Sequence, residues 1–320
     1  GQTQSYFFPP TAAPMNANLN GTGFDRWMET YGKGNAAAFD RYGWMYFSRD
    51  TYDFYGPFYW DSWPSLTGAI GMTYETDGGG HRGIRIRRDD GTILTFRDGI
   101  SKHYVSAMAT IATTAQHRRE RVRDFLLFRQ SAIREGQTMP MKRVVFSSND
   151  PGRAADLAAT LLRSGIEVRR ISAPLSSARA HAYYDDAVGA RRFDAGAYVV
   201  DLAQPQGRLA RSFLEPAPVM DTAFARLQIE KFRRNLRRGG NVSGEGYEFY
   251  DVTAWSLPVT FGVDAWWTED AAPVSGELLA LPAEEPALPQ AAQAPRRVGG
   301  ELLPVGLPSG IVGGQRARSA

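Results

Sequence analysis

The sequence predicts an α/β fold, and three observations carry that reading. Residues 68–75 form a short, nearly uncharged run that ends on one carboxylate, Glu75, and breaks at once into Asp77-Gly78-Gly79-Gly80. Apolar and β-prone residues followed by glycines read as a buried strand running into a loop. Residues 143–168 then read strand, helix, strand: Arg143-Val144-Val145-Phe146, a helical stretch over 153–164 stopped by Gly165, and Ile166-Glu167-Val168. That is a βα-β unit, most simply part of a parallel sheet. Ala197-Tyr198-Val199-Val200 supplies a third strand beside it.

In chain order, residues 1–35 are rich in Pro, Asn, Gly and Thr and read as an irregular segment anchored by aromatic side chains, with a helical patch near Phe24 and Trp27. Phe39, Tyr42, Met45 and Tyr46 have helical spacing, which predicts a short helix over 36–50. Residues 52–64 are the most aromatic part of the chain. Past Glu75 and its glycine turn, residues 82–97 alternate polar and apolar around Asp89-Asp90-Gly91, the pattern of a hairpin. Arginines 82, 85, 87 and 88 read as charges on an exposed strand face. Residues 98–135 predict one long helix. His103, Ala107, Thr110 and Thr114 share one of its faces, and Arg118, Arg119, Arg121 and Arg123 make a solvated later half.

Gln137-Thr138-Met139-Pro140 breaks the pattern before the βα-β unit. Its helix starts at Asn149-Asp150-Pro151-Gly152, with proline in the first turn. A helix start suits an anion, but neither a Walker nor a GxGxxG pattern is present, so no nucleotide site is read there. Helices are expected through Leu209, Phe213 and Leu214 and over 220–238. From residue 269 the composition falls to Ala, Pro, Glu, Leu and Gly, an Ala/Pro-rich linker or disordered tail over 269–320.

Composition bounds function loosely. The 320 residues suffice for two domains, and 43% hydrophobic with 22% charged residues are ordinary globular values. A net charge of +3 does not call for a polyanion, so no nucleic-acid partner is expected. The absence of cysteine excludes disulfides, thiolate metal ligands and a thiol nucleophile. No apolar run is long enough to span a membrane.

Several motifs together carry a family resemblance. Tyr6-Phe7-Phe8-Pro9-Pro10, the Tyr/Gly/Trp-rich loop ending Asp61-Ser62-Trp63-Pro64, and residues 68–75 resemble the later part of a bacterial zinc carboxypeptidase domain of the M14, carboxypeptidase A-like family. The resemblance covers residues 1–136 and implies the C-terminal part of a mixed sheet with helices. It makes Glu75 the catalytic glutamate that activates a zinc-bound water, with zinc held in the intact parent protein. The family's His-x-x-Glu pair and later histidine precede the matched region, so this chain is expected to bind no zinc tightly, to be inactive alone and to pair with a missing N-terminal half. The family also uses a mobile tyrosine upstream of its glutamate. Tyr52, Tyr55 and Tyr59 lie 23, 20 and 16 positions ahead of Glu75, and Tyr55, followed by Gly56-Pro57, is the preferred substrate-binding residue, with Tyr59 beside it. Asp61 reads either as a substrate-side carboxylate or as a residue that structures its loop. Residues 141–268 resemble the flavodoxin-like, glutamine-amidotransferase-like α/β module that follows such peptidase domains. Its chemistry needs a cysteine, so a structural or gating role is implied. Exported members of the family imply a periplasmic or extracellular location.

Two other functions fit the same residues. A non-catalytic scaffold would hold peptide or cell-wall material in the aromatic groove. A glycosidase would need Asp61 and Glu75 to face each other across a cleft.

Overall fold

A computed structural model describes residues 6–76, 84–88, 91–239, 244–248, 255–281, 297–298 and 301–302. Residues 1–279 form one compact unit and 280–320 another. Within the second, Arg297–Val298 pairs antiparallel with Glu301–Leu302. His81, Arg82, the Asp89-Asp90 turn and residues 250–254 lie outside the described residues.

The first half is helical around buried rings. Strand β1 (Tyr6–Phe7) leads to a 3-10 turn at Ala17–Leu19, capped by the Asn16 side chain, and to helix α1 (Phe24–Asp40). Helix α1 buries Phe24, Trp27, Met28, Tyr31, Asn35 and Phe39, one stripe at helical spacing. The helix expected over 36–50 is therefore displaced: α1 begins at Phe24, inside the stretch read as irregular, and residues 41–50 are turn and coil. Stronger apolar anchors at 24–31 fix the helix there, while Tyr42 and Met45 are exposed.

Helix α2 is a single turn, Ser62–Ser65, and strand β2 is only Glu75–Thr76, paired antiparallel with β1 so that Phe7 faces Glu75. The long strand expected over 68–75 is not formed. Strands β3 (Arg85–Arg87) and β4 (Ile93–Thr95) make the expected hairpin. Thr95 and Asp98 form a capping box that starts helix α3 (Phe96–Gln116).

The single helix expected over 98–135 is two, α3 and α4 (Arg118–Thr138), broken at His117 with φ −103° and ψ 15°. Trp27 sits inside the break. Its indole N–H donates to Asp124 at 3.0 Å, the His117 ring meets it edge-on at 5.9 Å, and the Arg121 guanidinium lies 4.6 Å over it. Arg121 also donates to the Gly68 carbonyl, so it is not the solvated charge its neighbours suggested. The expected face of α3 does pack on the first half. His103 and Ser106 meet the Tyr6 hydroxyl, Thr110 meets Tyr74 and Thr114 meets Tyr31. The opposite face of α3 leaves Phe96, Ile100, Tyr104, Met108 and Ile111 exposed. Among the described residues no helix is long and apolar enough to cross a membrane.

The second half is a seven-stranded sheet. Its elements in order are β5 (Arg143–Ser147), α5 (Pro151–Arg163), β6 (Arg169–Ile171), β7 (Leu175–Ala182), β8 (Val188–Phe193), β9 (Tyr198–Asp201), α6 (Gly207–Leu214), α7 (Thr222–Arg238), α8 (Leu257–Phe261), β10 (Asp264–Thr268) and β11 (Gly276–Leu278). The spatial order is β11-β6-β9-β5-β10-β7-β8, and every adjacent pair is antiparallel. The parallel reading is thus overturned. Strands β5 and β6 do run in the same direction, but β9 lies between them, antiparallel to both. The β7–β8 hairpin was not read from sequence because most of its exposed positions are Ser, Ala, Gly and Arg, with Val188 the one β-branched residue among them.

The expected linker starts too early. Glu269 pairs with His181 and Arg179, and β11 adds to the sheet through Arg169–Ile171. Backbone pairing with β6 wins over the Ala/Pro-rich composition up to Leu278.

No gap in packing separates 1–136 from 141–268. One core joins Leu19, Phe24, Phe54 and Phe128 to Val144, Leu157, Leu209 and Val263. Helices α4 and α6 meet over the Leu202 carbonyl, where a Cβ at Gly136 would lie 2.2 Å and one at Gly207 2.3 Å from its oxygen. Beside this contact, buried Arg208 donates to the Phe128 carbonyl (2.6 Å) and Ser131 Oγ (3.0 Å) and pairs with Glu135. A second buried network ties the N-terminal turn to α6. Asn18 donates to Ser212 Oγ (2.8 Å) and Glu215 Oε1 (3.2 Å), and Ser212 donates to Asn16 Oδ1.

Two outcomes are expected. Gly207→Ala forces a methyl group against a backbone carbonyl and costs about 2 kcal/mol. Gly189→Ala, with nothing within 4 Å of its Cβ, stays within about 0.5 kcal/mol, and urea midpoints compare the two. Burial pushes the Glu215 carboxyl up to about 7, against the pull of Arg211 and the Asn18 hydrogen bond. The folded chain therefore keeps a proton that the unfolded chain releases between pH 4.5 and 7, so stability falls as pH rises across that window. Glu215→Gln removes a fall of about 3 kcal/mol, measured as the pH dependence of unfolding free energy.

Candidate functional site

Asp61 organises the segment that leads to Glu75. It caps α2, accepting from the Ser62 N–H at 2.7 Å, and its other oxygen accepts from the Thr73 hydroxyl at 2.5 Å. Ser65 Oγ donates to the Asp61 carbonyl and accepts from the Gly71 N–H, both at 2.8 Å. The backbone N–H groups of Leu66, Thr67, Gly68, Ala69 and Gly71 therefore bond back to α2 rather than to a strand neighbour. A Cβ at Gly71 would lie 1.9 Å from the Asp61 carbonyl oxygen, so only glycine lets the two backbones meet. That contact is why the apolar run does not extend as a strand.

The tie delivers Glu75, half-buried on β2, into an open cleft of about 200 Å³. Tyr52, Asp53, Tyr59, Trp60, Asp61 and Thr73 line it with Glu75. Trp60 is 76% exposed on the rim. Among the described residues none donates a hydrogen bond to the Glu75 carboxylate. Burial, aided by the Glu75 charge, raises the Tyr52 phenol above its ordinary value, so it stays protonated as a donor. Deeper in, burial also raises the Tyr6 phenol, with the hydrogen bond from Ser106 opposing it.

The structure brings together three of the four residues singled out from sequence: Glu75, Tyr59 and Asp61. Tyr55 lies elsewhere. It is buried, its ring meets Trp255 edge-on at 4.8 Å, and its hydroxyl donates to the Pro218 carbonyl at 3.3 Å. Tyr52 holds the position beside Glu75 for which Tyr55 was preferred. The pairing of Phe7 with Glu75 accounts for this, because the Phe7 ring packs on Tyr52 at 4.7 Å and draws it to the same strand pair. Thr73, two residues before Glu75, was not singled out, although its alternation with Glu75 along an extended chain offered the signal.

Metal-ligating residues are sparse. Among the described residues no group of three or more His, Asp or Glu side chains could hold a metal ion. His103 is taken by Tyr6 at 2.8 Å, His117 by Glu120 at 3.3 Å and His181 by Glu269 at 2.8 Å, the last also stacked on Trp267. A second cavity of about 860 Å³ shares Thr51 and Tyr52 with the cleft and reaches Phe224 and Tyr247.

The two carboxylates should separate on substitution. Asp61→Ala removes a helix cap and strands Thr73, at a cost of about 2 kcal/mol. Glu75→Gln stays within about 0.5 kcal/mol. Denaturant unfolding of both variants checks this. In comparisons with known proteins, no family model, no curated protein and no solved structure matches this chain.

Proposed function

We propose that the Glu75 cleft is part of a peptide-hydrolysing site of the zinc carboxypeptidase type. Glu75 acts as general base toward water, and Tyr52 and Tyr59 receive the peptide. One observation carries this reading: a half-buried carboxylate with no hydrogen-bond donor among the described residues stands in an open cleft walled by phenols and an exposed indole. A carboxylate whose oxygens accept no hydrogen bond among the described residues is open to a substrate or a water. Tyr52, held protonated, serves as a donor to a peptide carboxylate or a developing oxyanion.

Zinc in the intact parent protein belongs to the same proposal, where it would polarise the carbonyl and activate water. The described residues do not fit such an ion, so no step is drawn through it here. The exposed apolar stripe of α3 supports the companion proposal that a further part of the parent protein covers this half. A periplasmic or extracellular location is proposed on the same footing.

A scaffold that only holds peptide is the second reading, favoured by the long cavity that continues the cleft past Tyr52. In the protein carrying its upstream sequence, Glu75→Gln is expected to lower peptide hydrolysis at least 100-fold with peptide binding kept, the scale of a lost general base. Hydrolysis unchanged by this substitution would sink the hydrolase reading. Peptide binding without hydrolysis in the unaltered protein would install the scaffold in its place.

A further inference from the structure

Helix α7 is 17 residues long and buries none of them. Helices in folded chains draw most of their stability from packing an apolar face, and α7 has such a face. Ala225, Ile229, Phe232 and Leu236 recur at helical spacing and form one stripe. Ile229 is 49%, Phe232 51% and Leu236 66% exposed, so the stripe points to solvent. What holds α7 to the chain lies on another side. Lys231 pairs with Glu248 at 2.7 Å, Arg234 and Arg238 pair with Glu245 at 2.7 and 3.1 Å, and Asn235 donates to the Glu245 carbonyl at 3.0 Å.

Those ion pairs take three of the cations on the helix, and its one carboxylate, Glu230, lies 3.9 Å from Arg234. The remaining cations are Arg226, Arg233 and Arg237. All three are exposed and make no ion pair among the described residues. Each follows a stripe residue by one position, which turns it about 100° around the axis. They therefore form a row along one flank of the stripe, with Arg233 and Arg237 one turn apart.

Stripe and row together select the occupant. A soluble polyanion would meet the arginines and leave Ile229, Phe232 and Leu236 in water. An uncharged protein face would cover the stripe but strip water from unpaired guanidinium groups. A lipid surface with anionic headgroups satisfies both. The stripe of an interfacial helix sinks roughly 5–10 Å into the headgroup boundary, and arginines on its flank stay level with the phosphates. The exposed stripe of α3 differs, because after His103 that helix carries no charged residue.

We propose that α7 is an interfacial helix that docks the protein on an anionic lipid surface. Ile229, Phe232 and Leu236 enter the acyl boundary, and Arg226, Arg233 and Arg237 meet the headgroup phosphates. The helix lies in the plane of the surface and does not cross it. The proposal stands apart from the Glu75 reading, since no residue of α7 lines that cleft.

Sedimentation of the full chain with vesicles tests it, one set of phosphatidylcholine alone and one with about 30% phosphatidylglycerol. Partitioning onto the anionic vesicles is expected to be at least tenfold stronger, and to weaken with salt. The triple variant Arg226→Gln, Arg233→Gln, Arg237→Gln should lose that preference. Ile229→Ser with Phe232→Ser should lower partitioning onto anionic vesicles at least tenfold. All five side chains are exposed, and circular dichroism and sedimentation without vesicles verify fold and solubility. No partitioning, equal partitioning onto both vesicles, or unchanged partitioning by either variant would each overturn the assignment. A dimer that the serine pair abolishes, without vesicle binding, would give the stripe to a protein contact instead.

Discussion

The contact between the helical half and the sheet is the one on which the rest depends. Helices α4 and α6 press on the Leu202 carbonyl at Gly136 and Gly207, and Arg208 locks the contact from inside by donating to a helix carbonyl and pairing with Glu135. This junction joins the helical half to the sheet. Its cost is the burial of a guanidinium, offset by the acceptors that its two terminal nitrogens reach at Phe128, Ser131 and Glu135, while Nε has no partner among the described residues. Everything the first half presents, including the segment that carries Glu75, is held to the sheet through this packing and through the Asn16–Asn18–Ser212–Glu215 network.

Two carboxylates close in space have been given opposite work by their surroundings. Asp61 has both oxygens engaged by the chain that follows it, and it shapes the loop. Glu75 is delivered by that loop and engaged by nothing among the described residues. The division explains why a reading in which both act as a chemical pair across a cleft has little support: one of the two is already committed to the fold.

Local patterns were legible where local physics decides. The proline-started helix at residue 151 and the β5 and β9 strands were readable from a few residues. What failed was everything set by distant partners. The apolar run at 68–75 carries strand-like composition, but the Gly71–Asp61 backbone contact overrides it. Composition alone marked residues 269–278 as linker, and pairing with the edge of β6 makes 276–278 a strand. Tyr52 lines the cleft and Tyr55 does not, for the same reason. Sequence spacing from Glu75 is blind to the Phe7 ring that brings Tyr52 alongside.

The strand order also bears on how the chain is made. Strand β10 sits in the middle of the sheet, between β5 and β7, yet it is made after both of them and after β8 and β9. Until it emerges, β6-β9-β5 and β7-β8 are two separate ribbons, each with a bare inner edge. Such edges are templates for pairing with other chains, and closing a sheet by a late, distant strand is slow. The growing chain therefore carries two bare edges, those of β5 and β7, until β10 is made to fill the gap between them.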